Sequence, residues 1–221
     1  MIKIDDNVIP VLNDKRIVSS KSFPIKTYCL LTVNAVQFRD IEENTIRYFP
    51  SDTKALTKVK RLIKARTGEV KLICPAMKYS IKRNTAILED VDTLIIKNWL
   101  YEDIVVHYNN ECEAYLISYG YEAGFQYINL SKDTLITLLT FHNDNVLRAY
   151  LTFTRLLYDG QFKQVTREYL AQQIGLKSNS RNTLQEITNI TDTLHALGLV
   201  YKENSRNEEG NIISKYRLLK K

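Results

Sequence analysis

Twenty-five carboxylates, three histidines and three cysteines are among the side chains of this 221-residue sequence that could carry acid–base, metal or nucleophilic chemistry. Their spacing supports none of it. His107, His142 and His195 stand far apart, so the His-x-His pair of a metal-dependent nicking enzyme is missing. Cys29, Cys74 and Cys112 include no Cys-x-x-Cys pair, which excludes a zinc ribbon. Gly120 and Gly124 do not make a nucleotide fingerprint, and no phosphate-loop motif occurs. Asp40 with Asp52-Thr53-Lys54 matches the spacing of some metal-dependent nucleases, a spacing frequent by chance. The expectation is a binding protein with no catalytic residue, no metal and no cofactor.

The chemistry that the sequence does offer is recognition of a polyanion. Lys177, Ser178, Asn179, Ser180, Arg181, Asn182 and Thr183 form a polar run, followed by Gln185 and Asn189. Arginine suits a two-bond contact to guanine, asparagine and glutamine suit adenine, and short hydroxyls hold phosphate. Glu186 is the one acid among them, able to accept from cytosine N4 or to face away. Thr166, Lys202, Arg206, Lys215 and Arg217 are expected on the DNA backbone, with Lys220 and Lys221 behind them.

Such a row needs a helix to carry it and a scaffold to hold that helix. Val146, Ala149, Tyr150, Phe153, Leu156 and Leu157 recur at helical spacing until Asp159-Gly160 ends the run. Thr166 can cap a short second helix that buries Tyr169, Leu170 and Ile174 and closes at Gly175. A third helix, over about 182–197, buries Ile187, Ile190, Leu194 and Leu197, and Gly198 stops it. Residues 199–201 and 212–219 read as strands around a polar tip at 204–211. This is the order of a winged helix, a helix-turn-helix followed by a β-hairpin wing.

The same order is legible one hundred residues upstream. Asp92-Thr93-Leu94 through Tyr101 aligns without a gap to Asp192-Thr193-Leu194 through Tyr201. A basic turn precedes each, Lys82-Arg83-Asn84-Thr85 and Ser180-Arg181-Asn182-Thr183. Residues 104–108 and 114–119 read as a second hairpin, and 27–38 as the opening helix, with Tyr28, Leu31, Ala35 and Phe38 on one face. A basic helix at about 53–66 is inserted, and 131–141 reads as a connecting helix. The expected fold class is therefore α+β, two winged-helix domains in tandem, at 1–125 and 126–221.

Charge divides the two. The net charge is +6, with residues 54–83 at +9 and residues 84–122 at −7. Lys58, Arg61 and Lys64 on the inserted helix, with Lys82 and Arg83, are expected to grip DNA backbone. Glu89, Asp90 and Asp92 on the first module's third helix, with Glu111 and Glu113 on its wing, would be repelled by phosphates and suit a protein contact, a second copy of the chain among the candidates. No apolar run approaches the roughly 18–20 residues that cross a bilayer. Met1-Ile2-Lys3-Ile4-Asp5-Asp6 does not read as a signal peptide, so a cytoplasmic location with reduced thiols is expected.

Two winged helices in a basic chain of this length resemble the plasmid replication initiators of the theta type. The resemblance covers the module order and the paired Arg-Asn-Thr and Asp-Thr-Leu segments, about 150 residues, and includes no initiator-specific motif. It implies that the first module mediates self-association as a homodimer, while the second binds repeated sites in double-stranded DNA. It also implies Arg181, Asn182 and Thr183 as the start of the recognition helix; the 53–66 insert has no counterpart in that family. Three functions stay open: a replication initiator or organiser of a plasmid or phage that recruits replication machinery, a dimeric transcriptional regulator, and an interaction scaffold that does not touch DNA.

Overall fold

The first described element is a strand, Val8–Leu12 (β1), which lies antiparallel to Tyr127–Ser131 (β7), with Val8 opposite Ser131 and Leu12 opposite Tyr127. The computed structural model describes residues 8–34, 36–39, 45–50, 54, 57–58, 61, 71–72, 104–109, 114–119, 127–141, 143–210 and 212–219. After β1 come Lys15–Ser19 (α1) and Ile25–Asn34 (α2). Asp14 caps α1, its carboxylate accepting from Arg16 N–H at 2.8 Å and from the Arg16 guanidinium at 2.9 Å. These bonds to Arg16 hold the Asp14 pKa below the ordinary aspartate value.

Between α2 and β7 the described residues build a separate antiparallel sheet. Its strands are Val36–Arg39 (β2), Thr45–Pro50 (β3), Lys71–Leu72 (β4), Ile104–Asn109 (β5) and Ala114–Tyr119 (β6), in the order β4-β2-β3-β6-β5. The β5–β6 hairpin stands where the sequence places it. The expected helix over 27–38 does not: α2 ends at Asn34, and residues 36–39 pair with β3. Val36-Gln37-Phe38-Arg39 alternates apolar with polar, so the period of two extends the sheet where a helical spacing also fitted. Lys54, Thr57, Lys58 and Arg61 are helical and exposed, within the expected basic helix. The first module's third helix, with Glu89, Asp90 and Asp92, lies outside the described residues, as do Glu111 and Glu113.

The chain then returns to its beginning. Ser131 caps Lys132–Leu139 (α3), and Asn143 caps Asp144–Leu156 (α4). Lys163–Gln164 (β8), Arg167–Gln173 (α5), Arg181–Ala196 (α6), Val200–Arg206 (β9) and Ile212–Leu218 (β10) follow, with the strands in the order β8-β10-β9. The fold is α+β, with small antiparallel sheets.

One core joins the two ends of the chain. Val11, Ile17, Val18, Phe23, Ile25, Tyr28, Cys29 and Val33 are buried together with Leu135, Leu147, Leu151, Phe153, Ile174, Ile187 and Leu194. The expected boundary at 125/126 thus falls between segments that share a core. Helix α4 registers the consequence. Its sequence carries one apolar face, yet every residue from Val146 to Thr154 is buried, because the α6 side takes that face and residues 8–34 cover the other.

Arg148 fixes this arrangement. Only 2% exposed, its guanidinium donates to Val18 O and Phe23 O at 2.7 Å each and to Ile17 O at 3.2 Å. Val18 O, in the last turn of α1, has no backbone donor, and a cation suits a helix C-terminus; Ile17 O and Phe23 O also accept from Ser20 N–H and Ile25 N–H. Asn13 repeats the tie from the opposite direction, donating to Leu151 O at 2.9 Å and to Thr154 Oγ1 at 3.1 Å.

Candidate nucleic-acid interface

The polar run begins where α5 is forced to stop. Gly175 has φ of +77°, and Leu176 N–H reaches back to Ala171 O at 2.8 Å, the closure of a glycine-terminated helix. A second constraint acts on the same glycine. A Cβ there would lie 1.9 Å from Ser19 O, so only glycine lets the end of α1 rest on the turn between α5 and α6.

Ser180 is the extended N-cap residue of α6, and its side chain makes no capping bond. The opposite face of the helix buries Ile187, Ile190, Thr191 and Leu194. What remains outside is the row expected from sequence. Arg181, Asn182, Gln185 and Asn189 are exposed on one face, with exposed Lys177 and Asn179 in the turn ahead of them. Ser178, Ser180 and Thr183 are half-buried; Ser178 Oγ accepts from Gln172 Nε2 at 3.2 Å. Gln185 donates to Asn189 Oδ1 at 3.1 Å, which orients both amides along the row.

Glu186 stands at the flank of that row, between it and the buried face, and is drawn toward α4. Its Oε1 accepts from Asn143 Nδ2 at 3.0 Å and from Asn145 Nδ2 at 2.6 Å, two amides at the start of α4. Lys21, from the turn after α1, donates in its own turn to Asn145 Oδ1. Nothing local in the sequence marks Lys21, Asn143 or Asn145 as neighbours of this helix, because Lys21 meets Asn145 across 124 residues.

The other expected phosphate contacts fare unevenly. Lys202 is a correction. Its ammonium bonds Asp192 at 2.7 Å and Thr191 Oγ1 at 3.1 Å, with the side chain only 10% exposed, so it closes the seam between α6 and β9. Arg217 lies on the outer face of the sheet, since its neighbour Tyr216 is buried against Phe153. There its guanidinium sits 4.9 Å from the Phe162 ring centre and 5.8 Å from that of Tyr201. Lys215 is exposed on the same face, opposite Glu203. Arg206 is exposed at the end of β9, but the tip beyond it carries exposed Glu208 and Glu209. Thr166 is exposed and caps α5, accepting from Tyr169 N–H at 3.1 Å. Tyr169, expected in the core, is 43% exposed, because Leu170, Ala171 and Ile174 already complete the buried stripe.

No family model, curated protein or solved structure matches this chain. Among the described residues no group of His, Cys, Asp or Glu is placed to hold a metal, and no helix is long and apolar enough to cross a membrane. Lys58 and Arg61 are exposed on their helix, while Lys64, Lys82 and Arg83 lie outside the described residues.

Proposed function

We propose that the protein is a sequence-specific double-stranded DNA-binding protein whose residues 144–219 act as a winged helix. The start of α6 enters the major groove, with Arg181, Asn182, Gln185 and Asn189 toward the base edges. The observation that carries this reading is the pairing of that exposed row with a buried opposite face on one helix. Lys177 and the uncapped first turn of α6 suit the flanking phosphates. The helix, strand, helix, turn, helix, hairpin order supports it further. In keeping with the sequence resemblance, the role proposed is that of a replication initiator or organiser working on repeated origin sites as a homodimer.

The reading is tested by titrating the full chain into a fluorescent random-sequence duplex at several salt concentrations. Binding should weaken linearly in log salt with a slope of several units, about 0.9 for each phosphate engaged. Absence of binding, or binding that salt does not change, would overturn it.

A further inference from the structure

We propose that Lys21 is a phosphate contact of the DNA-binding surface, delivered to the flank of α6 by the amino-terminal segment; this rests on the DNA-binding reading above. The turn that carries Lys21 cannot drift, because Arg148 grips the carbonyls of Val18 before it and Phe23 after it, both at 2.7 Å. On that clamped turn the ammonium reaches Asn145 Oδ1, and Asn145 Nδ2 in turn holds Glu186 of α6. The relay ties Lys21 through Asn145 to Glu186, which stands on α6 four residues after Asn182 and three before Asn189, at the flank of the exposed row. A strand backbone bordering the major groove passes such a flank when a helix lies in it.

Lys21 is also suited to an incoming anion. It is exposed, its contact is a neutral amide, and among the described residues it forms no ion pair. Its surroundings leave the ammonium under-compensated. Partial burial and the nearby Arg148 pull its pKa down to about 8, against the opposing pull of Glu186 on α6 and Asp144 on α4. A phosphate oxygen would restore what is missing. Binding would then favour the protonated amine, so affinity should fall as pH rises from about 7 to about 9, where the other lysine contacts hold their charge.

The test compares full-length wild type with Lys21→Gln and Lys21→Arg on one duplex across a salt series. Lys21→Gln should bind roughly three- to tenfold more weakly at low salt and lower the log–log salt slope by about 0.9, uniformly across duplex sequences. Lys21→Arg should keep the wild-type slope, and the loss of affinity above about pH 8 should disappear in Lys21→Gln. An unchanged unfolding midpoint in Lys21→Gln would assign the loss to the contact and not to the fold. Wild-type binding with an unchanged slope in Lys21→Gln would overturn this proposal alone. No duplex binding by any of the three would overturn it together with the DNA-binding reading.

Discussion

The two ends of α6 differ in what their side chains are doing. At the beginning, Arg181, Asn182, Gln185 and Asn189 are exposed, and Gln185 donates to Asn189. At the far end, Asp192 and Thr191 hold Lys202, and His195 Nδ1 lies 3.2 Å from both Lys202 N–H and Val200 O. The hairpin continues that pattern, with Arg217 stacked over two rings and a tip that presents Glu208 and Glu209. Both regions are basic and polar by composition. A cation is open to an anionic ligand where the fold has not already paired it with a carboxylate or set it over a ring.

The sharpest way to break this contrast is to remove what holds the helix start outward. Arg148→Met would remove a donor from the carbonyls of Ile17, Val18 and Phe23 and leave Val18 O without one, since Ile17 O also accepts from Ser20 N–H and Phe23 O from Ile25 N–H. One buried carbonyl left unsatisfied costs about 1–3 kcal/mol, and a loss in that range is expected in urea unfolding of the full chain. Limited proteolysis within residues 8–34 should accelerate in parallel. Stability within about 0.5 kcal/mol of wild type would mean that the amino-terminal segment does not brace α6.

A smaller effect sharpens the hairpin half of the comparison. Replacing Glu208 and Glu209 with Gln removes two carboxylates from the tip. If the tip lies near phosphates, affinity for duplex should rise roughly threefold at low salt and the gain should vanish at high salt. Equal affinity across the salt range would place the tip away from the DNA.

Much of the terminal unit is legible in the sequence. The Thr166 cap and the Ile187, Ile190 and Leu194 stripe follow from local rules and appear where those rules put them. The expected hairpin forms with a longer first strand, since β9 runs to Arg206 and residues 204–206, expected in the polar tip, pair with 212–214. What is not legible is contact between residues far apart in the chain. Arg148 sits mid-helix among apolar residues, and its partners lie 125 to 131 positions earlier. Gly175 reads as a helix stop, and nothing local says that Ser19 presses on it. Residues 27–38 show the limit of periodicity. Tyr28 and Leu31 fit a helix, Val36 and Phe38 fit a strand as well, and only the pairing with β3 decides between them. At the site, the exposed row was legible from residue type, while the engagement of Lys202 and Arg217 required knowing which strand face each occupies.

The central claim is that the beginning of α6 reads base edges. It is tested most directly by selecting bound sequences from a random duplex pool with the full chain and with its Arg181→Ala variant. Wild type should enrich a defined motif. The variant should lose the preference for guanine at one position of each site and bind about 5- to 160-fold more weakly, the range set by about 1–3 kcal/mol for a good two-bond contact. The same motif recovered at the same strength by both proteins, or no motif recovered by wild type, would contradict the account.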